Sequence, residues 1–257
     1  MVNENGVRWR TAWVTGASSG IGKAIALEIA RRGCTVAASA RSADTLNEMA
    51  RDNGRILPFP VDVTDAAAVA STVGSIMDRL GGPPDLVFFS AGVGRFSSAT
   101  RFDRALFEES MRVNVVALGD ALAPLIPPMI ARGSGHIALV ASLAGYRGLP
   151  RAVTYAPSKA AVISLAECLR FDLQPKGITV TMINPGYVDT PMTRKNDFPM
   201  PFLMTLDKAT GIILRGLERG KFEIRFPWQI GTMVALGRLL SNTSYYWLVK
   251  RSMQPKR

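Results

Sequence analysis

Histidine and cysteine are nearly missing from this 257-residue chain, which holds one histidine, His136, and two cysteines, Cys34 and Cys168. A zinc site needs several such ligands at short spacings, so no metal site is expected. Two cysteines this far apart build no disulfide framework, and a reducing, cytoplasmic setting is the simplest reading. Both are expected to be buried as small hydrophobes. No 18-residue run is free of charges and polar breaks, which argues against a conventional transmembrane helix. The first ten residues lack the apolar segment of a secretory signal. Acids are scarce in one region: from 215 to 257, nine Lys and Arg face Glu218 and Glu223, so this tail carries +7 of the net +11.

What is present reads as a folded domain. Hydrophobic residues make up 47% of the chain, an ordinary globular share, and the length suits one large domain. Short apolar runs rich in β-branched residues recur at 11–14, 35–39, 56–61, 86–90, 136–141 and 178–183. They lack polar alternation, as strands buried on both faces should. Helical patterns separate them at 21–32, 43–52, 66–80, 103–130 and 154–174, with a further helix at 207–219 leading to a last strand at 222–226. Strands alternating with helices predict an α/β fold: a single Rossmann-like, doubly wound parallel sheet flanked by helices. His136, at the start of a strand, is expected to be structural.

The first strand runs into Thr15-Gly16-Ala17-Ser18-Ser19-Gly20-Ile21-Gly22, and a helix follows. Gly16 permits a tight turn, Gly20 a close approach to a pyrophosphate, and Gly22 close packing of helix on strand. The helix N-terminus then offers unpaired N–H groups to phosphate. The same stretch also fits Gly16-x-Ser18-x-Gly20, a hydrolase nucleophile elbow. Such an elbow follows several strands and needs a downstream histidine; here it follows the first strand, and His136 is the sole candidate base.

Further along, Tyr155-Ala156-Pro157-Ser158-Lys159 places Tyr155 and Lys159 on one face at the start of a helix, and Ser142 closes the fifth strand. A phenol of pKa ~10 is a poor proton carrier near neutrality. A nearby ammonium favours the phenolate and lowers that value, by about 1.4 kcal/mol per unit. With Thr15–Gly22, Asp62-Val63, Ser90-Ala91-Gly92, Asn114, Ser142, Tyr155/Lys159 and Asn184-Pro185-Gly186 with Thr190 in this order, residues 10 to 225 resemble the classical short-chain dehydrogenase/reductase family.

The resemblance implies an oxidoreductase in which Tyr155 is the acid/base and Ser142 holds the substrate oxygen. Lys159 would bind the nicotinamide ribose and lower the tyrosine pKa, and Asn114 would complete a proton relay through water. By the same resemblance Gly16, Ser18, Ser19, Gly20, Ile21 and Gly22 hold the phosphates, and Asp62 and Val63 face the adenine. Ser90, Ala91 and Gly92 flank the cofactor, and Pro185, Gly186, Val188 and Thr190 lie at the nicotinamide. One departure stands out: the family's fourth strand usually ends Asn-Ala-Gly, and here Ser90 replaces the asparagine, which puts loop rigidity in question.

The second strand ends Ala38-Ser39-Ala40-Arg41 without an acid. An acid there would hold a ribose 2′-OH, whereas a guanidinium can pair with a 2′-phosphate. NADP(H) is therefore the expected cofactor. Met192, Phe198, Met200, Phe202, Leu203 and Met204 follow the Pro-Gly turn and suit a hydrophobic, lipid-like or cyclic, ketone or alcohol. The alternative is a non-catalytic nucleotide-binding module at a membrane or in a complex. Residues 1–225 are expected to form the catalytic domain, and 226–257 an apolar, basic C-terminal extension. That extension either contacts an anionic membrane as a peripheral surface, packs on the domain, or joins subunits of a homodimer or homotetramer. Nucleic acid is not an expected partner, since the basic groups flank apolar runs and no recognition element is evident.

Overall fold

The structure is a computed structural model and describes residues 8–252. Its apolar runs become seven strands, β1 (Thr11–Thr15), β2 (Thr35–Ser39), β3 (Ile56–Pro58), β4 (Leu86–Phe89), β5 (Gly135–Val140), β6 (Ile178–Pro185) and β7 (Glu223–Phe226). All pair in parallel, in the order β3-β2-β1-β4-β5-β6-β7. The helices are α1 (Gly20–Arg31), α2 (Ala43–Asp52), α3 (Ala66–Leu80), α4 (Arg104–Met111), α5 (Ala117–Arg132), α6 (Tyr155–Leu173), α7 (Leu206–Glu218), α8 (Trp228–Gly237) and α9 (Asn242–Ser252).

Alternate residues of each strand feed two cores, one on each face of the sheet. Ala12 and Val14 of β1 join Ile25 and Ile29 of α1 and Ile213 and Leu217 of α7. Trp13, pointing the other way, joins Val73 of α3, Leu122 of α5 and Val162 of α6. Both faces of the strands are thus covered, which is why the sequence shows no polar alternation. Helix starts follow local chemistry. The Ser42 and Asp65 side chains accept N–H bonds from Thr45 and Ala68 at the first turns of α2 and α3.

Four local features differ from the sequence reading. The third strand stops at Pro58 instead of Val61, although Pro58 and Pro60 take the alternate positions that face the open edge of the sheet, where no N–H is needed. Phe59 and Val61 still donate to the Ala38 and Ala40 carbonyls. The long helix expected over 103–130 is α4, a π-helical turn at Arg112–Val116, and α5; Pro124, Pro127 and Pro128 ride inside α5. Arg104–Arg132 is, among the described residues, one helical stretch long and apolar enough to cross a membrane by length and composition. Here Leu118, Leu122, Leu125 and Met129 pack in the core with α3 and α6, while Val116 and Ile130 stay exposed. Cys34 is buried, but Cys168 is exposed. It lies two residues past the buried Ala166 of α6, about 200° around the helix and on its outer side.

Candidate active site

Chain order reverses between β1 and β4: β2 and β3 lie to one side, and β5 to β7 to the other. In such sheets the crevice beyond the carboxyl ends at this point is the ligand site. A cleft of about 480 Å³ opens there. Every site residue expected from the sequence lines it except Gly22 and Asn114, which stand directly behind its wall.

At one end, Gly16 takes φ +67° and Gly20 φ +52°, left-handed backbone that glycine adopts without strain. A Cβ on Gly16 would sit 2.7 Å from the Ala91 nitrogen, and one on Gly22 would press on the Gly16 carbonyl carbon at 2.8 Å. The loop therefore nests between α1 and the end of β4 with no room for side chains. Ser19 precedes α1 but makes no side-chain cap bond, so the first-turn N–H groups face the cleft unpaired by that side chain. Thr15 Oγ1 accepts from the N–H of both Ser90 and Ala91 at 3.2 Å. That pair of bonds steadies the loop where Ser90 replaces the expected asparagine. A glycine-walled cradle ending on a helix N-terminus fits the pyrophosphate of a dinucleotide.

Beyond the cradle, Arg41, Asp62 and Val63 line the cleft. The Ser39 hydroxyl faces inward and accepts from the Trp13 indole N–H at 2.9 Å, leaving it unavailable to a ligand. Arg41 is exposed; hydrogen bonds from Thr64 hold the Asp62 carboxyl, and those from Arg95 the Glu109 carboxyl, below the usual range, with a smaller contribution from the Arg41 charge. Glu109 also lines this wall, paired to Arg95 through two contacts of 2.9 and 3.0 Å. Nothing local in the sequence marks this pair, which joins a loop to a helix 14 residues on.

At the other end, Ser142, Tyr155 and Lys159 converge. Burial pushes the Tyr155 phenol above its ordinary value, and a hydrogen bond with Ser142 opposes that shift. Burial also draws Lys159 down to about 8. Its Nζ donates to the Val140 carbonyl at 2.9 Å and lies 5.8 Å from the Tyr155 ring centre. The lowering expected from the lysine does not appear: burial is the larger influence on the phenol, and the Ser142 hydrogen bond is what opposes it.

Asn114 sits in the π-helical turn, buried. Its Oδ1 accepts from Val93 N–H at 2.8 Å, and its Nδ2 donates to the Val93 carbonyl at 3.1 Å and to Ser158 Oγ at 2.9 Å. Ser158 in turn donates to the Tyr155 carbonyl at 2.7 Å. Both amide hydrogens are spent on holding the first turn of α6 against the loop after β4. The extra backbone width of the π turn is what presents the side chain to both.

Over Tyr155 lies an aromatic wall that the sequence showed only in part. Phe96 stacks 5.0 Å from the Tyr155 ring, Phe198 lies 5.8 Å from Phe96, and Tyr187 lies 6.1 Å from Phe198. Met192 closes over Gly94, where a Cβ would meet its sulfur at 2.9 Å. Phe198 and Met192 lay in the expected lid; Phe96 and Tyr187 are brought in by loops after β4 and β6. His136 is remote and structural: it is buried, and its Nε2 is 2.8 Å from Thr181 Oγ1.

Comparison with known proteins agrees with this geometry. Residues 10–199 match the family model for short chain dehydrogenases. An uncharacterized oxidoreductase of Myxococcus xanthus is 38% identical over 239 residues, covering 91% of this chain and 94% of its own. One from Mycobacterium tuberculosis is 32% identical over 232 residues, covering 87% and 90%. Among solved structures, a short chain dehydrogenase from Burkholderia cenocepacia in complex with NADP superimposes with a TM-score of 0.81 at 25% identity, over 95% of this chain and 98% of its own. A short-chain dehydrogenase from Sphingobium yanoikuyae in complex with NADPH shares the fold, with a TM-score of 0.77 at 23% identity over 90% and 96%. With its glycine cradle, Ser142–Tyr155–Lys159 cluster and parallel sheet, the chain belongs to the short-chain dehydrogenase family of oxidoreductases.

Proposed function

We propose that this oxidoreductase uses NADP(H) and acts on a hydrophobic carbonyl or alcohol, through Tyr155, Ser142 and Lys159. The observation that carries the reading is one cleft with Arg41 and no acid of β2 at its adenosine end, and Tyr155 beneath an apolar wall at the other. Gly16, Ser18, Ser19, Gly20, Ile21 and Gly22 would hold the pyrophosphate. Arg41 would meet a 2′-phosphate, Asp62 and Val63 the adenine, and Ser90, Ala91 and Gly92 the neighbouring ribose. Pro185, Gly186, Val188 and Thr190 would hold the nicotinamide. The NADP and NADPH complexes among the structural neighbours support the same choice of cofactor. The chemistry the cofactor supplies when bound is a hydride equivalent, given to a carbonyl carbon or taken from an alcohol.

The chain's own groups manage the proton. Ser142 Oγ donates to the substrate oxygen and holds it beside the phenol. Tyr155 Oη gives that oxygen its proton on reduction and removes it on oxidation. A phenol raised by burial stays protonated near neutrality, ready as the acid. Lys159, at about 8, keeps most of its charge at pH 7 and stabilises negative charge as it develops on the phenol oxygen. Asn114 acts as the positioning residue for α6. Phe96, Phe198, Tyr187 and Met192 exclude water and favour apolar substrates over small polar ones.

The test is a turnover screen with NADPH and NADH across ketones of increasing chain length and ring size. Arg41→Ala should weaken NADPH by about 1.5–3 kcal/mol and leave NADH nearly unchanged. Tyr155→Phe should retain under about 10% of kcat while NADPH binding survives. Equal weakening of both cofactors would remove Arg41 as the 2′-phosphate reader. NADPH binding without turnover of any ketone would instead support a non-catalytic nucleotide-binding module.

A further inference from the structure

Independently of that reading of the cleft, the end of the chain presents a surface that the enzyme chemistry does not use. Helix α8 turns Gly231 inward, where a Cβ would lie 3.3 Å from Arg225 Cγ. Its outer side shows Trp228, Met233 and Leu236, and Leu239 follows just past its end, with Trp228 72% and Leu239 83% exposed. The three helical positions fall within an arc of about 140° at 100° per residue, a largely apolar side that also carries Thr232. Helix α9 adds Tyr246, Trp247 and Leu248, with Trp247 59% exposed. A patch this apolar on an outer surface marks an interaction site.

The charge around it narrows the partner. From Arg225 to the end of the sequence there are six basic residues and no acid. On α9 the cations share the aromatic surface: Lys250 Nζ lies 6.0 Å from the Tyr246 ring centre, and the Arg251 guanidinium 5.3 Å from that of Trp247. Beside α8, Arg215, Arg219, Lys221 and Arg225 line a hollow of about 390 Å³, with Glu223 as its acid. A protein-protein interface core is depleted in lysine although it favours arginine and aromatic residues, so the lysine on the aromatic surface of α9 is the distinguishing residue. Exposed tryptophan, tyrosine and leucine interleaved with cations suit a bilayer interface instead, where rings sit among headgroups and cations meet anionic lipid.

The platform is also held in place. Arg147, between Ser142 and Tyr155 in sequence, donates to the carbonyls of Gly237 and Leu240, each at 2.9 Å, and to Asn242 Oδ1 at 2.7 Å. Its guanidinium covers the Tyr245 ring at 4.1 Å, and Tyr245 Oη donates to the Gly148 carbonyl at 2.9 Å. One arginine thus clamps the connection between α8 and α9 and turns their apolar sides outward together. The platform starts beside the cleft, since a Cβ on Gly186 would sit 2.9 Å from Pro227 Cδ.

We infer that α8 and α9 form a peripheral docking surface for an anionic lipid bilayer, with Trp228, Leu239 and Trp247 entering the interface and Lys250 and Arg251 meeting the headgroups.

Co-sedimentation of the full chain with phosphatidylcholine vesicles, with and without phosphatidylglycerol, tests this at low and high salt. The expected result is binding to the anionic vesicles that falls as salt rises, with little binding to the neutral ones. Lys250→Gln/Arg251→Gln should weaken it roughly thirtyfold, about fivefold for each cation and somewhat more together. Trp228→Ser/Leu239→Ser should abolish it. Thermal melts and vesicle-free turnover of both variants should match the wild type, which separates lost docking from lost fold. No binding to anionic vesicles at low salt, or equal binding to neutral ones, overturns the inference. So does sedimentation velocity without vesicles if Trp228→Ser/Leu239→Ser splits an oligomer, since a second copy then covers the face. Failure of the NADPH screen leaves this result untouched, because vesicle binding is read without turnover.

Discussion

Replacing Asn114 by alanine should damage the fold of the site before it damages any proton pathway. The side chain makes three hydrogen bonds of 2.8, 3.1 and 2.9 Å, two to the Val93 backbone and one to Ser158 Oγ. At about 0.5–1.5 kcal/mol net for each bond, Asn114→Ala should cost about 2–4 kcal/mol. For a chain of this size that corresponds to roughly 4–15 °C in Tm. Ser158→Ala removes the bond from Asn114 and its own bond to the Tyr155 carbonyl, and should cost about 1–2 kcal/mol. The two changes share one bond, so urea melts of both single variants and the double variant should give a coupling of about 1 kcal/mol. Turnover should fall in Asn114→Ala with the pH dependence of kcat unmoved, because a looser α6 misplaces Tyr155 without changing the acid. A loss in stability below about 0.5 kcal/mol, together with a shifted pH profile, would refute this account and return Asn114 to a direct part in the relay.

Gly22→Ala would drive a methyl into the Gly16 carbonyl carbon at 2.8 Å, so it should cost about 1–3 kcal/mol and weaken NADPH in a fluorescence titration. Gly74→Ala in α3 meets no atom within 4 Å and should stabilise by about 0.5–1 kcal/mol; equal NADPH affinity in both variants would show that the cradle tolerates side chains. His136 titrates down to about 3 because it is buried. The folded state therefore binds fewer protons than the unfolded one between that value and the ordinary ~6.5. Its contribution to stability is complete above about pH 6.5 and is lost as pH falls toward 3, by about 1.4 kcal/mol per unit. Melts of wild type and His136→Asn at pH 7 and about 4.5 should show a weaker acid loss in the variant, by about 2–3 kcal/mol. The same acid loss in both would mean that the histidine charges freely in the fold.

Much of the architecture was legible because local chemistry and long-range packing agree. The β-branched runs without polar alternation could be accommodated only between two helix layers, and the Ser42 and Asp65 caps mark helix starts that the fold keeps. The cradle glycines and Tyr155/Lys159 were readable for the same reason: their spacing alone sets a turn or a helix face. The π-helical turn at Arg112–Val116 was not read from the sequence; its three valines and Asn114, absent from α4 and α5, weaken helix propensity there without specifying a π turn. Within it, Asn114 bonds to Val93 and Ser158 at once, partners that the sequence does not place beside it.

What the sequence by itself determined, then, is the alternating α/β order, the phosphate loop, the tyrosine–lysine pair and the basic character of the tail. These are properties of neighbours along the chain, where a period, a missing Cβ or a run of charge is enough. The tertiary structure decided whatever depends on partners far apart in sequence. It turned the Lys159 ammonium to the Val140 carbonyl, and it buried the Tyr155 phenol, whose pKa rises with that burial. It brought Phe96 over Tyr155 from another loop, and it let Thr15 support Ser90. It also clamped α8 and α9 through Arg147, 90 residues before Gly237. A side chain's environment is set by what the sheet and its loops bring against it, and the residues on either side of it in the chain do not specify that.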